Sequence, residues 1–147
     1  MSVKSQDNTG SLSRVLAATF RLYVQTHGYH WNVEGPKFRQ LHSLFEEQYQ
    51  ELWNALDPLA ERIRSLGAYA PGSIAELMKL AGDEAAPAQS AEAMVDELIE
   101  AHGALAGDLR AAITTAQEAG DEPSTGLLTD RLAWHEQQLW MMKASRK

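Results

Sequence analysis

Residues 37–66, KFRQLHSLFEEQYQELWNALDPLAERIRSL, place apolar side chains at helical steps: Leu41, Phe45, Tyr49, Leu52, Leu56 and Ile63. Gly67 follows directly and reads as the C′ residue that stops such a helix. Pro58 is the one irregularity, and it costs roughly 3 kcal/mol in a regular helix interior, which predicts a bend beside Asp57. The same stretch carries two pairs of metal-ligand side chains, His42/Glu46 and Asp57/Glu61, each spaced by one helical turn. With about 1.5 Å of rise per residue the pairs lie roughly 20 Å apart, so a straight helix cannot bring both onto one ion. A second copy laid antiparallel across a twofold axis sets the His42/Glu46 end of one chain against the Asp57/Glu61 end of its mate and creates two equivalent sites.

Upstream, Leu16, Phe20, Tyr23, His27 and His30 recur at steps of four and three, forming a stripe from about Ser11 to Trp31. Glu34-Gly35-Pro36 ends that helix. Met1–Gly10 is polar and unpatterned and reads as a flexible N-terminal tail. Downstream, Ala70-Pro71-Gly72 is a turn, and Ser73-Ile74-Ala75-Glu76 has the form of a capping box opening a short helix. Ser90 is placed to cap a third long helix carrying Val95, Leu98, Ile99, His102, Leu105, Leu109, Ile113 and Ala116 up to Gly120. After Asp121-Glu122-Pro123-Ser124 a fourth carries Leu128, Leu132, His135, Leu139 and Met142, and residues 143–147 form a short basic tail. No strand-like alternation competes, so the chain reads as all-α, one four-helix bundle over residues 11–142 with a short extra helix in the long second connection.

Composition narrows the chemistry. At 147 residues the chain is the size of a single domain. With no cysteine it has neither disulfides nor thiolate metal sites, and any metal is held by nitrogen and oxygen. No apolar h-region and no bilayer-length apolar stretch is visible, so the expected location is the cytoplasm, with no membrane partner. A net charge of −7 disfavours a surface built to coat duplex DNA and suits a protein that attracts cations. No Glu is followed three residues later by His, which argues against a di-iron site inside one bundle. Imidazole with carboxylate suits Fe(II). Singly, each acid has an ordinary reading as a solvated helix face; together with His30, the set His42, Glu46, Asp57 and Glu61 points to a metal centre shared between chains. His102 and His135 lie on apolar stripes without acid partners and read as structural.

The segment His30-Trp31-Asn32-Val33-Glu34-Gly35-Pro36-Lys37-Phe38, with Leu41-His42, Phe45-Glu46 and Asp57-Pro58-Leu59-Ala60-Glu61-Arg62, resembles the Dps family of mini-ferritins. The likeness extends through Pro71-Gly72-Ser73, Leu127-Leu128-Thr129-Asp130-Arg131 and His135-Glu136 to Trp140. The resemblance implies a ferritin-like bundle and a homododecameric shell built from twofold dimers. It implies a ferroxidase that oxidises Fe(II), preferably with hydrogen peroxide, and stores ferric mineral, which protects against oxidative stress. It also implies two iron ions per intersubunit site. Carried over by position, His30, His42 and Glu46 come from one subunit and Asp57 and Glu61 from the other. Glu46 stands where the family often has Asp, and its longer arm implies a shift of one iron or of its affinity. Trp31 would lie beside the site as a radical quencher, and Trp140 is a second candidate for that part.

Family shells have acidic pores for iron entry, and Asp121 and Asp130 match that region, whereas Gly126 stands where an acid is usual. The family also implies DNA binding and nucleoid association through Lys- or Arg-rich tails. Here the N-terminal segment offers Lys4 and Arg14, and the C-terminus Lys143-Ala144-Ser145-Arg146-Lys147. A nucleoid DNA-compacting protein with a secondary iron site is therefore the alternative reading. Repetition of the tail over a shell adds avidity, and the net negative charge opposes it.

Overall fold

A computed structural model describes residues 1–147 and contains five helices and no strand. These are α1 (Val3–Asn32), α2 (Phe38–Ser65), α3 (Ile74–Ala81), α4 (Ala91–Glu118) and α5 (Glu122–Ser145). Short connections make α1/α2 and α4/α5 hairpin pairs. The pairs join through α1 on α4, and α3 lies against α1 within the long connection from α2 to α4. This is the expected four-helix bundle with its additional short helix.

Local chemistry explains the boundaries. Ser73 and Ser90 each accept a hydrogen bond from a backbone N–H three residues on, at 3.1 Å, and so cap α3 and α4. The Ser73 hydroxyl also donates to Glu76 Oε1 at 3.1 Å, a variation on the predicted capping box. Gly67 and Gly120 adopt left-handed φ of +93° and +68°. In both places the two N–H groups that follow the helix return to its last carbonyls: Ala68 to Ile63 and Gly67 to Arg64, Asp121 to Ala116 and Gly120 to Gln117. α2 runs through Pro58 as a single helix.

Two segments expected as tails are helical. At the N-terminus Ser2 caps the first turn, and the Asn8 amide donates to Asp121 Oδ2 at 2.8 Å across the bundle end. That tertiary bond gives the polar Met1–Gly10 stretch a reason to continue the helix from Val3, and Asn8 and Thr9 are buried. At the C-terminus α5 continues to Ser145, and the Arg146 guanidinium pairs with Asp96 at 2.8 and 3.1 Å on α4.

The centre is built from Leu12, Val15, Leu16, Leu22, Phe45, Leu52, Leu59, Ile63, Leu98, Leu105, Leu109, Leu128 and Met142. On α1 the deep face differs from the stripe expected from apolar spacing. It includes Thr19 and Thr26, whose hydroxyls donate to the Val15 and Leu22 carbonyls at 2.8 and 2.7 Å and are thereby satisfied without water. Phe20, Tyr23 and His27 are only half-buried, and Tyr23 and His27 meet the α2 rings of Tyr49 and Trp53.

Two polar groupings cross the core. Asp121 caps α5 through the Ser124 N–H at 3.2 Å and accepts from Asn8 and from Arg62 at 2.7 Å. Burial alone would raise its pKa; bonds from the Ser124 hydroxyl and N–H, Asn8 and Arg62 outweigh that and hold the carboxylate below its ordinary range. Between α4 and α5, His102 and His135 are fully buried with their Nδ1 atoms 2.8 Å apart, so one imidazole donates to the other. Their structural role agrees with the sequence reading. Burial, and then the Arg131 charge, push His102 down to about 4; burial, His102 and Arg131 push His135 lower still.

Two tests address these groupings. Asp121→Ala strips a cap and leaves the Arg62 and Asn8 donors without their acceptor, and should cost about 3 kcal/mol in urea unfolding. For the histidine pair the folded state refuses protons that the unfolded chain takes up near pH 6.5. Stability is thus fully present above that pH and drains below it, at about 1.4 kcal/mol per pH unit for each histidine, and for His102 down to about pH 4. Urea midpoints compared at pH 7 and pH 5 should show this loss, and His102→Leu should reduce it by about half, the His135 share remaining.

Candidate metal centre

α1 and α2 meet at the tight connection Val33–Lys37, where Gly35 takes a φ of +114° that other residues rarely adopt. The last turn of α1 is thereby laid against the first turns of α2. His30 and His42 face each other there, with rings stacked at 3.8 Å and 15°. His30 Nδ1 lies 2.7 Å from the His42 carbonyl oxygen, and His42 Nδ1 lies 2.7 Å from that of His30. A carbonyl only accepts, so both Nδ1 atoms carry the hydrogen and both Nε2 atoms keep a lone pair. The arrangement locks the tautomer that metal-binding imidazoles use, with the backbone as the orienting partner. Phe38 covers a face of His42 with ring centroids 4.9 Å apart.

Glu46, one turn beyond His42, places Oε1 at 3.9 Å from His30 Nε2, and its carboxylate is half-exposed. His30, His42 and Glu46 are therefore brought together. Asp57 and Glu61 are not: both lie exposed farther along α2, and within the single chain no three ligand-type side chains form a group able to hold an ion. The separation follows from the rise of an unbroken helix.

Trp31 is 66% exposed and rests on His27 with centroids 4.3 Å apart. His27 stacks on Tyr49 at 3.8 Å and 10°, and its Nδ1 lies 3.1 Å from the Tyr23 hydroxyl. Burial, and then the neighbouring His30, lower the pKa of His27. Tyr49 meets His30 edge-on at 5.1 Å. Sequence reasoning assigned Tyr49 to the core of α2; its position one turn after Glu46 was the signal that it borders the ligands. Trp140, on α5, is 67% exposed and belongs to none of these ring contacts.

The two acids matched to a pore differ. Asp121 is buried, and its carboxylate is engaged by Asn8, Arg62 and Ser124 within the chain, whereas Asp130 and Glu122 are exposed on α5. No helix is long and apolar enough to cross a membrane.

A family model for the ferritin-like domain matches residues 10–146. The DNA protection during starvation protein of Brevibacillus brevis is 38% identical over 134 residues, spanning 90% of each chain. Among solved structures, a Dps protein from Bacillus brevis superposes with a TM-score of 0.96 at 35% identity, covering 100% of this chain and 99% of the other. The Dps protein of Vibrio cholerae O1, described as one of the ferritin-like diiron-carboxylate proteins, gives 0.93 at 33% identity over 98% and 91%. With the helix order, the long α2 to α4 connection and the imidazole pair between α1 and α2 in place, this chain belongs to the ferritin-like family, among its Dps members.

Proposed function

We propose that the chain oxidises Fe(II) with hydrogen peroxide at sites shared by twofold-related subunits of a dodecameric shell, and stores the ferric product. The observation that carries this reading is the reciprocal hydrogen bonding of His30 and His42, which leaves both Nε2 lone pairs for a cation beside the Glu46 carboxylate. Asp57 and Glu61 of the partner subunit complete the donor set, because the rise along the unbroken α2 keeps those of the same chain too far away. Two Fe(II) ions, the substrate, are held together by these nitrogens and carboxylates. Each gives one electron to a single peroxide, the O–O bond breaks, and its oxygens leave as water or enter the ferric product. Consuming both reagents together suppresses release of hydroxyl radical, which supports a role in stress protection in the cytoplasm.

Trp31, exposed beside His27, is proposed as a sacrificial electron donor next to the site. For iron entry, Asp130 is the acid available to solvent, with Glu122 nearby in sequence; Asp121 is committed to Arg62 and the α5 cap. DNA compaction is the lesser role. Arg146, the one arginine of the basic C-terminus, is neutralised by Asp96 and faces Glu92 at 3.8 Å, so the repeated cationic patch shrinks to Lys143 and Lys147.

Anaerobic Fe(II) loading followed by peroxide should give ferric absorbance in wild type and little in His42→Ala or Glu61→Ala. Dissociating these two variants and reassembling them together should restore about a quarter of the wild-type rate, since half of the random dimers are mixed and each regains one intact site of two. Absence of rescue rejects the shared site, and a native mass far from twelve times 16.3 kDa rejects the shell. In a gel-shift titration, retardation of duplex DNA should be confined to low salt; binding that persists at physiological salt would favour the DNA-compacting alternative.

A further inference from the structure

We propose that the groove between α1 and α4 binds a linear aliphatic polyamine, a chain of methylenes interrupted by ammonium groups. The groove measures about 810 Å³, within the range of small-ligand sites. Its α1 side carries Arg21, Gln25, Gly28 and Asn32 and its α4 side Met94, Glu97, Ala101 and Ala104. Arg21 and Asn32 stand roughly 16 Å apart along α1, so the groove is elongated. Residues 83–89 of the long connection form a wall, and that wall is tied to α1: Arg21 Nη1 donates to the Ala81 and Gly82 carbonyls at 2.6 and 3.1 Å, and the Ala88 N–H donates to the Tyr29 hydroxyl at 3.0 Å. No lining residue belongs to the ligand set argued above, so the inference stands apart from the iron reading.

Charge and shape together select the ligand. Five carboxylates border the groove, those of Glu34, Asp83, Glu84, Glu97 and Glu100, and none forms an ion pair within the chain. The one cation of the lining, Arg21, is given over to backbone carbonyls of the wall. Tyr29 donates to Glu97 and so orients that carboxylate; burial, and then this bond, raise the pKa of Tyr29, and the phenol remains the donor. Acids gathered on a point would suit a metal ion, but no three ligand-type side chains converge anywhere in the chain. The carboxylates are instead strung along the groove, and their complement is a cation whose charges are also spaced out. Val24, Met94, Ala101 and Ala104 supply apolar surface among them, which methylenes can cover, and Gly28 adds no side chain to obstruct it. One exposed ammonium on one carboxylate is worth little and is screened by salt. Several on a single short chain act together, because the first contact raises the local concentration of the next.

The test titrates the assembled, iron-free protein with spermidine in a calorimeter at physiological salt. Wild type should bind saturably, about one molecule per chain, and putrescine, with fewer ammonium groups, should bind severalfold more weakly. Glu97→Gln with Glu100→Gln should weaken spermidine about tenfold. Asp108→Asn with Glu118→Gln removes the same charge from exposed acids of α4 outside the groove and should leave the affinity within about twofold. Ala104→Trp fills the groove from an exposed position with no change of charge, and should weaken binding as much as the first pair does. Circular dichroism and native mass confirm that each variant folds and assembles. Equal losses in the two charge-removing pairs, or full binding to Ala104→Trp, would mean general attraction to an acidic surface and overturn the proposal. So would the absence of saturable binding, or displacement of spermidine by an equal concentration of magnesium chloride, which would assign the groove to a divalent cation.

Discussion

An α-helix is a rod, and α2 is long enough that its two ligand pairs sit too far apart to share an ion. Nearly everything about the candidate site follows from that constraint. One end of the rod finds an imidazole partner within the chain, because the short turn at Gly35 folds α1 back onto it. The other end, with Asp57 and Glu61, projects from the same chain without such a partner. A helix that cannot bend onto itself makes a second copy the proposed source of the further donors, and in that proposal a twofold axis would supply them in both directions at once.

The half-site is prepared before any ion arrives. In a free imidazole either nitrogen can carry the proton and the ring turns about two bonds; here two backbone carbonyls remove both freedoms for His30 and His42. Those carbonyls come from the histidines themselves, so the orientation of each ring depends on the position of the other's backbone. The α1/α2 turn is in this sense part of the proposed metal centre. Glu46 stays half-exposed, its Oε1 3.9 Å from His30 Nε2.

Charge is distributed with a similar division. Asp121, Arg62, Asn8 and Ser124 are hydrogen-bonded to one another at one end of the bundle, tying α1, α2 and α5 together. Arg131 is buried with Glu51 at 2.7 Å, and Arg146 holds α5 to α4 through Asp96. Each of these pairs takes one cation and one acid into internal order, so the chain's net charge of −7 is unchanged by them.

Helix number, order and most boundaries were legible in the residues, because apolar spacing, serine caps and glycine stops act within a few positions of one another, as at Ser73, Ser90, Gly67 and Gly120. That His30, His42 and Glu46 come from one subunit was implied by the resemblance alone; the turn at Gly35 is what brings them together. Segment 1–10 was not legible: its helix depends on Asn8 reaching Asp121, more than a hundred residues away, and no local pattern encodes that bond. The same holds for Thr19 and Thr26 in the core, and for the Nδ1 to Nδ1 contact of His102 with His135. Spacing along a strand of sequence specifies which residues share a helical face; which face turns inward, which carboxylate is consumed by an arginine and which ring meets which depend on how the rods pack, and that is fixed by contacts between positions remote in the chain.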